Sequence, residues 1–547
     1  MCGIVGYVGG RPCRDLLLAG LEKLEYRGYD SAGLSLLADG EIESVRAVGN
    51  LAHLREAVEA DGEPGGVATL APEATTGIAH TRWATHGRVT EQNAHPHDDT
   101  AGDVHIVLNG IVENYVELRD RLVAAGADYT SDTDAEVVAH LIAHHHDGEI
   151  VVLRSGGVDF IDPDGNSIER EVEDVDWDEE AAEKGGYETF MLKEIHEQPD
   201  AVADTVSDRA PGDEVILDDA GFDDEFLRNL RRIVIVACGT SYHAGLVGRY
   251  AIEHWARVPV EMDVASEYRY RDPVVDENDL VIGITQSGET ADTLAAMRLA
   301  RKNGARVLAI TNVMGSQATR DSDGVLYTRA GLEIGVAATK TYVSQVISMY
   351  LLGLKLAQVR GTLEPELRSR LISELKALPN QMSRMIETVE EPVRKIAEHW
   401  QSSEFFLYLG RHVGLPVALE GALKLKEISY IPTDAYAAGE MKHGPIALLD
   451  ERTPVVCVAT RMPILDKVLS NVAEVRARGA HVIAVATEGD TEVEQNAEEV
   501  IYVPATDWLL QPVLAIVPLQ LLAYYIARAR GLNVDQPRNL AKTVTVE

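Results

Sequence analysis

The second half of this 547-residue chain contains an internal repeat, which limits the possible folds more than any other sequence feature. The apolar run Ile233–Ala237 has a counterpart in Phe405–Leu409, and the segment 304–311 is echoed by 479–486, at an offset of about 170 residues. Each copy alternates buried, branched strands with amphipathic helices, the pattern of a parallel sheet covered on both faces. We therefore predict two doubly wound α/β domains, at residues 222–362 and 393–537.

The first part of the chain has a different pattern. Residues 2–160 alternate short β-type runs with helical stretches such as Arg14–Leu24 and Ala135–His146, which predicts an α+β module. Residues 161–221 are rich in acidic and turn-forming residues and predict a connector that carries a helix near Met191–Glu197. The chain thus divides into an N-terminal module, a connector and the repeated domains.

The composition excludes several classes of function. The net charge of −38 would repel a phosphate backbone, so a nucleic-acid partner is not expected. We find no signal peptide and no apolar run long enough to cross a membrane, and we expect a cytoplasmic protein. The strongly acidic surface suits a high-salt cytoplasm, although an acidic protein from a low-salt organism would share it. The four cysteines form no CxxC pair, and no metal or cofactor is predicted.

Cys2 is the first candidate for catalysis. Removal of Met1 would make it the N-terminal residue, and its α-amino group, with an ordinary pKa of about 7.7–8.0, could then accept the thiol proton. A cysteine at this position is weak evidence alone. Read singly, the polar residues that follow also have structural explanations, namely a surface ion pair for Arg82, a hairpin turn for Asn109-Gly110 and a helix N-cap for Asp134.

Four segments taken together change this assessment: 25–33, 81–87, 108–110 and 131–134. In this order behind Cys2 they resemble the N-terminal-nucleophile glutamine amidotransferases over residues 1–146, whose fold is an αββα sandwich. The resemblance implies that Cys2 attacks the glutamine amide while an oxyanion hole stabilises the tetrahedral intermediate. By the same resemblance, Asn109 and Gly110 form that hole, Arg82, Thr85, His86 and Asp134 bind glutamine, and Trp83 gates an ammonia channel.

Two loops in the first repeat predict an anion site. The run Leu280–Ile284 leads into a hydroxyl-rich loop at 285–293 and then a helix, and Cys238-Gly239-Thr240-Ser241 repeats the arrangement. Hydroxyl and backbone N–H groups at a helix start suit a phosphate, and the nucleotide-binding loop patterns are absent. A capped helix is the structural alternative. The second copy has Ala459-Thr460-Arg461-Met462-Pro463 instead, so we expect one sugar site per chain.

Residues 222–547 resemble the paired sugar-isomerase (SIS) domains of the glucosamine 6-phosphate synthases, and the tail 538–547 is nearly a signature of them. The resemblance implies a homodimer that uses L-glutamine and D-fructose 6-phosphate. Lys542 would form a Schiff base, Glu427 would move the proton, and His443 would open the sugar ring in the neighbouring subunit. The predicted sugar-phosphate contacts are Thr240, Ser241, Thr285, Gln286, Ser287, Thr290, Val336 and Lys424.

This chain departs from the family pattern at two places. Ala338 stands where relatives commonly have serine, which removes one sugar contact. After His146 the relatives continue through several more strands, whereas this chain passes directly to 148–153, which resembles the final hairpin of the sandwich. Three functions therefore remain open: the complete synthase, an ammonia-dependent aminating isomerase with a damaged glutaminase, and a regulatory sugar-phosphate binding protein.

Overall fold

The computed structural model describes residues 3–24, 30–38, 40–59, 72–82, 84, 87–110, 112, 114–144, 150–154, 157–161, 167–168 and 184–545. The chain divides into two compact units, one of residues 1–177 with 541–547 and one of residues 178–540.

The first unit contains nine described strands and four described helices. In chain order they are β1 (Gly3–Val8), α1 (Arg14–Leu24), β2 (Ser31–Ala38), β3 (Glu41–Val48), α2 (Leu51–Glu59), β4 (Thr76–Arg82), β5 (His97–Asp98), β6 (His105–Ile106), α3 (Tyr115–Ala124), α4 (Glu136–His144), β7 (Ile150–Arg154), β8 (Gly157–Ile161) and β9 (Ser167–Ile168).

Its largest sheet is antiparallel, in the order β1-β4-β2-β3. The helices α1 and α2 pack on this sheet, and apolar side chains of α1, β2 and α2 form the core between them. A second layer pairs α4 with the short ribbon β5-β6, and β7-β8-β9 form a separate antiparallel sheet. The hairpin predicted after the gap is present as β7-β8. The position of the gap itself lies outside the described residues.

The second unit begins with the helices α5 (Phe190–His196), α6 (Gln198–Val206) and α7 (Asp224–Asn229). The first SIS copy continues with β10 (Arg232–Ala237), α8 (Gly239–Trp255), β11 (Val260–Val264), α9 (Ala265–Tyr268), β12 (Asp279–Thr285), α10 (Ala291–Lys302), β13 (Arg306–Thr311), α11 (Gln317–Asp321), β14 (Gly324–Tyr327) and α12 (Lys340–Arg360).

The second copy follows the long helix α13 (Pro365–Trp400). It comprises β15 (Phe406–Gly410), α14 (Gly414–Ser429), β16 (Thr433–Ala437), β17 (Pro454–Ala459), α15 (Leu465–Arg476), β18 (His481–Thr487), α16 (Thr491–Asn496), β19 (Glu499–Val503) and α17 (Gln511–Ala529).

The two copies have the same sheet topology, which confirms the predicted repeat and the doubly wound fold class. The strand orders are β11-β10-β12-β13-β14 and β16-β15-β17-β18-β19, and every pair is parallel. In the first sheet the chain runs from β10 to β11 on one side, and then crosses to β12 on the other side of β10. The second sheet repeats this path with β15, β16 and β17. This change of direction leaves a crevice at the carboxyl ends of β10 and β12, where sheets of this kind bind ligands.

The two copies share one continuous apolar core. The helix α8 of the first copy packs against α14 of the second, and α17 packs against α13 and α14. Among the described residues, α17 is long and apolar enough to cross a membrane by length and composition, but 83% of its apolar window is buried inside the protein. Burial of this extent is typical of a core helix.

Candidate active site

The predicted phosphate loop lies at the crevice between β10 and β12. Thr285 ends β12, and its hydroxyl is 2.8 Å from the Thr290 hydroxyl at the start of α10. Ser287 accepts a hydrogen bond from the Glu289 N–H at 3.2 Å, which holds the loop in a tight turn. The Thr290 side chain caps no backbone N–H at the start of α10, and the first N–H groups of a helix have no partner within the helix.

Gly288 explains why this turn is so compact. Its φ is +68°, and a Cβ added there would lie 2.0 Å from the Ser316 hydroxyl oxygen. A residue with a side chain would push the loop away from the strand end. Glycine at this position therefore lets the loop backbone pack closely against Ser316 in a left-handed conformation.

The second loop, between β10 and α8, connects the two SIS copies. Thr240, in the first turn of α8, donates its hydroxyl proton to Glu420 of α14 at 3.0 Å and accepts from the Lys424 ammonium at 3.1 Å. Glu420 also lies 2.7 Å from the His243 Nδ1 atom. The Thr240 side chain is thus engaged in a network within the protein, whereas Ser241 is half-buried beside it.

One face of α14 carries Glu420, Lys424 and Glu427 one turn apart. The Lys424 ammonium is 3.4 Å from the Glu420 carboxylate and 2.6 Å from the Glu427 carboxylate. Lys424 and Glu420 are fully buried, while Glu427 is 20% exposed. The sequence prediction named Lys424 and Glu427 but missed Glu420, although the i, i+4 and i+7 spacing on a buried helix would have indicated it.

These contacts fix the charge states of the network. Burial alone would lower the pKa of Lys424, but the Glu427 and Glu420 carboxylates raise it above its ordinary value. Burial alone would raise the pKa of Glu420, but Lys424, His243 and Thr240 lower it. Lys424 is therefore an ammonium at neutral pH and cannot attack a carbonyl as a free amine.

The loop between β14 and α12 is held by buried carboxylates that the sequence prediction also missed. Glu333 accepts hydrogen bonds from the N–H groups of Thr339 and Thr341, and Glu194 accepts from Gly335. Val336, a predicted sugar contact, is buried and donates its N–H to the Asp535 carbonyl at 3.0 Å. Two distant segments, those of Glu194 and Asp535, together with Glu333 of the loop itself, thus fix the loop that carries Val336.

Two more predicted residues of the sugar site, Gln286 and His443, lie in the second unit. Gln286 is half-buried in the phosphate loop, and His443 is exposed at the end of the 3-10 segment Ala438–His443. Lys542 lies in the C-terminal segment 541–547, which is grouped with the first unit. Ala338 is half-buried.

In the first unit, several predicted glutaminase residues are brought together. Arg82 ends β4 and is buried, and its neighbour on the same face, His80, lies 3.0 Å from the Asn109 carbonyl oxygen through Nε2. Asp134 is buried and accepts the Val112 N–H at 2.7 Å, which ties it to the segment that carries Asn109 and Gly110. Cys2, Trp83, Thr85 and His86 lie outside the described residues.

The strand next to Cys2 is well defined. Gly3 begins β1, pairs with Thr81 of β4, and donates its N–H to the Thr81 hydroxyl at 3.1 Å. A Cβ at Gly3 would lie 2.7 Å from the Leu24 Cβ, so this position requires glycine for space. The residue that follows Cys2 is therefore anchored beside the strand that ends in Arg82.

Known protein families match both the N-terminal and the C-terminal part of this chain. The family model described as "SIS domain" matches residues 226–355 and 401–529, and the model described as "Glutamine amidotransferase domain" matches 52–158. Among solved structures, the C-terminal domain of glucosamine-fructose-6-phosphate aminotransferase from Francisella tularensis is 41% identical, covers 65% of this chain and all of its own, and gives a TM-score of 0.62. Glucosamine-6-phosphate deaminase from Thermotoga maritima is 25% identical, covers 66% of this chain and all of its own, and gives a TM-score of 0.52.

Two curated relatives align with the whole chain and over their own full length. Both are named glutamine–fructose-6-phosphate aminotransferase [isomerizing]. The protein from Mycolicibacterium paratuberculosis is 46% identical over 638 aligned positions, and that from Clostridium tetani is 43% identical over 618. Both alignments are longer than the 547 residues of this chain, so both relatives contain segments that this chain lacks. At this identity and coverage, the chain belongs to the isomerizing glutamine–fructose-6-phosphate aminotransferase family.

Proposed function

We propose that this chain transfers the amide nitrogen of L-glutamine to D-fructose 6-phosphate and isomerises the product to D-glucosamine 6-phosphate, releasing L-glutamate. The observation that carries the proposal is the buried Glu420–Lys424–Glu427 network next to the phosphate loop of the first SIS copy. A protein that only senses a sugar phosphate needs the loop but has no use for a partly exposed carboxylate held by a buried ammonium.

In this proposal the phosphate of the sugar binds at the crevice between β10 and β12. The donors are the Ser287 and Thr290 hydroxyls and the N–H groups at the start of α10, whose helix dipole favours an anion. The loop carries no lysine or arginine, so hydrogen bonds and the helix start supply the attraction. Thr285, Gln286 and Ser241 line the same crevice, and Thr240 acts from within the network.

Glu427 is proposed to move the proton between C1 and C2 of the sugar. Its carboxylate is 20% exposed and is held 2.6 Å from Lys424, so it is oriented yet accessible. The buried Lys424 ammonium holds the Glu427 carboxylate at a partly exposed position, from which that carboxylate is proposed to accept the proton. Glu420 in turn compensates the charge of Lys424 and fixes its position.

Lys542 is proposed to form the Schiff base with the ketose carbonyl. The reaction requires a lysine that can lose its proton, and Lys424 is excluded by its two carboxylate partners. The exposed position of His443 is compatible with ring opening in the site of a neighbouring subunit. We accordingly propose a homodimer in the cytoplasm.

For the glutaminase half, we propose that Cys2 attacks the glutamine amide and that Asn109 and Gly110 stabilise the oxyanion. Arg82 and Asp134 would bind the carboxylate and the ammonium of glutamine, with Thr85 and His86 lining the pocket and Trp83 gating the ammonia path. Both Arg82 and Asp134 are buried, which strengthens charge recognition by excluding water.

The greater length of the relatives favours a second candidate, an isomerase that uses ammonia because its glutaminase is impaired. In the described second layer of the first unit, the strands that contact α4 are the two-residue strands β5 and β6, and α3 packs on the same helix. The chemistry of the sugar site is the same in both candidates. They differ in the source of nitrogen.

The proposal is tested by measuring glucosamine 6-phosphate formed from ammonium and increasing fructose 6-phosphate. We expect product from the unmodified chain, and a higher KM for fructose 6-phosphate when Ser287 and Thr290 are both replaced with alanine. Each lost hydrogen bond to a charged acceptor costs about 1.5–3 kcal/mol, which corresponds to a KM increase of about 10- to 100-fold per bond.

The matched control is Ser322→Ala, a partly buried serine of the same copy outside the crevice, which should leave KM unchanged. Binding of the sugar phosphate without any product would contradict the enzymatic proposal. An unchanged KM in the double variant would place the phosphate elsewhere.

A further inference from the structure

A column of three buried histidines crosses the first unit and is used by none of the steps above. The His80 and His95 ring centroids are 4.1 Å apart, and those of His95 and His97 are 4.4 Å apart. At one end His80 Nε2 lies 3.0 Å from Oδ1, the side-chain amide oxygen of Asn109, and at the other end His97 Nε2 lies 3.0 Å from the Thr133 hydroxyl. The column therefore joins the proposed oxyanion donor to the residue that precedes Asp134.

The arrangement does not suit a metal ion. The imidazoles lie ring against ring and do not converge on one point, and no metal-binding cluster occurs within the ranges that the structure describes. Two of the contacting nitrogens already face an amide and a hydroxyl. The column is therefore better suited to holding the Asn109 amide and the Thr133 hydroxyl in place.

His80 is neutral at physiological pH. Burial is the main cause that lowers its pKa to about 4, and the Arg82 guanidinium contributes in the same direction. Burial likewise lowers the pKa of His97 to about 3, and that of His95 is well below its ordinary value. A neutral imidazole has one N–H group, and an amide carbonyl can only accept. The proton of His80 therefore lies on Nε2 when Nε2 faces the Asn109 carbonyl oxygen.

From this geometry we infer that His80 is a positioning residue of the glutaminase, which holds the Asn109 side chain with its carbonyl oxygen inward and its NH₂ group available to the oxyanion. Asn109 itself is exposed, and its contact with the buried His80 ring distinguishes the two orientations of its amide. The flipped orientation would present a carbonyl oxygen to the oxyanion and repel it. This inference rests on the proposed function of Asn109.

The test uses His80→Phe, which keeps an aromatic ring but lacks the donor, and His80→Gln, whose side-chain amide can donate from nearly the position of Nε2. The probe is the γ-semialdehyde of glutamate. Its aldehyde carbon adds the Cys2 sulfur and its oxygen takes the thiol proton, which gives a neutral tetrahedral hemithioacetal whose oxygen occupies the proposed oxyanion hole. Affinity for the aldehyde reports on the hole without requiring turnover.

We expect His80→Phe to weaken aldehyde binding about 10- to 100-fold, because a misplaced donor loses much of the 10²–10³-fold contribution of an oxyanion-hole group. His80→Gln should recover most of the affinity. Glutamate binding and alkylation of Cys2 by iodoacetamide, which passes through no oxyanion, should stay unchanged. The matched control His97→Phe removes a buried histidine from the same column without touching Asn109, and should weaken aldehyde binding much less.

Four outcomes would overturn the inference. Equal aldehyde affinity in the unmodified chain and in His80→Phe would show that His80 does not position the donor, provided that Asn109→Ala weakens binding. Equal losses in His80→Phe and His97→Phe would show a general packing effect. Unchanged binding in Asn109→Ala, or no adduct in the unmodified chain, would instead refute the proposed oxyanion hole, and with it this inference.

Discussion

Replacing Lys542 with alanine should reduce glucosamine 6-phosphate synthesis by at least about 10³-fold, with either glutamine or ammonium as nitrogen source, since loss of a covalent catalyst removes a whole step of the mechanism. The expected effect is large because a ketose carbonyl needs an amine that can be deprotonated. Lys424 cannot replace it, since its ammonium is fully buried between Glu420 and Glu427.

The covalent step can be observed directly. Fructose 6-phosphate and borohydride should trap the Schiff base as a stable secondary amine, and peptide mapping should find the added mass on Lys542. The matched control is Lys542→Arg, which keeps the positive charge but cannot condense with a carbonyl, and which should be as inactive as the alanine variant. Trapping on another lysine, or normal synthesis by Lys542→Ala, would contradict the assignment.

Lys424→Met separates the two lysines further. This substitution leaves two carboxylates on α14 without their counter-charge, and breaking a buried pair in this way commonly costs about 3–5 kcal/mol. We expect a less stable protein with little synthesis. Borohydride trapping on Lys542 should nevertheless survive at temperatures where the variant is folded, because the amine that condenses is still present.

The second large effect concerns the glutaminase. When the segment that we expect to be missing after His146 is restored from the Mycolicibacterium paratuberculosis relative, glutamine hydrolysis should increase by about 10²-fold, while the ammonium-dependent rate should stay the same. About 1 Å of displacement in a catalytic group can cost this much rate, and a sandwich that lacks inner strands has unpaired edges and exposed apolar area. The SIS copies share their own continuous core and do not depend on those strands.

The measurement is the rate of glutamate release from glutamine, in the chain as it stands and in the restored chain. The ammonium-dependent synthesis of both proteins serves as the internal control. Equal rates of glutamate release would show that the short form is complete. A fall in the ammonium-dependent rate would show that the insertion had disturbed the sugar site instead.

The sequence predicted most of what depends on local pattern and repetition. The bounds Arg14–Leu24 agree with α1, and the repeat led to two sheets of identical strand order. Such features follow from hydrophobic periodicity, which is a local pattern within a short stretch of sequence. The strand β6 contains only His105 and Ile106, which pair with the two residues of β5.

Contacts between distant segments could not be predicted in this way. The hydrogen bond between Thr240 and Glu420 joins residues 180 positions apart, and that between His80 and Asn109 joins residues 29 apart. No local pattern marks either pair. The residues between the two predicted SIS domains, 363–392, also form most of the single helix α13, in spite of two internal prolines, because its apolar stripe packs on α17.

The central claim is that the amide nitrogen of glutamine reaches the sugar within this chain. The most direct measurement supplies the purified protein with fructose 6-phosphate and amide-¹⁵N-glutamine, and determines by mass spectrometry whether glucosamine 6-phosphate carries the label. A parallel reaction contains ¹⁵N-ammonium alone. We predict labelled glucosamine 6-phosphate in both reactions, formed more slowly from glutamine. Label that appears only with ammonium would contradict amide transfer, and tight binding of fructose 6-phosphate without product in either reaction would contradict the whole enzymatic account.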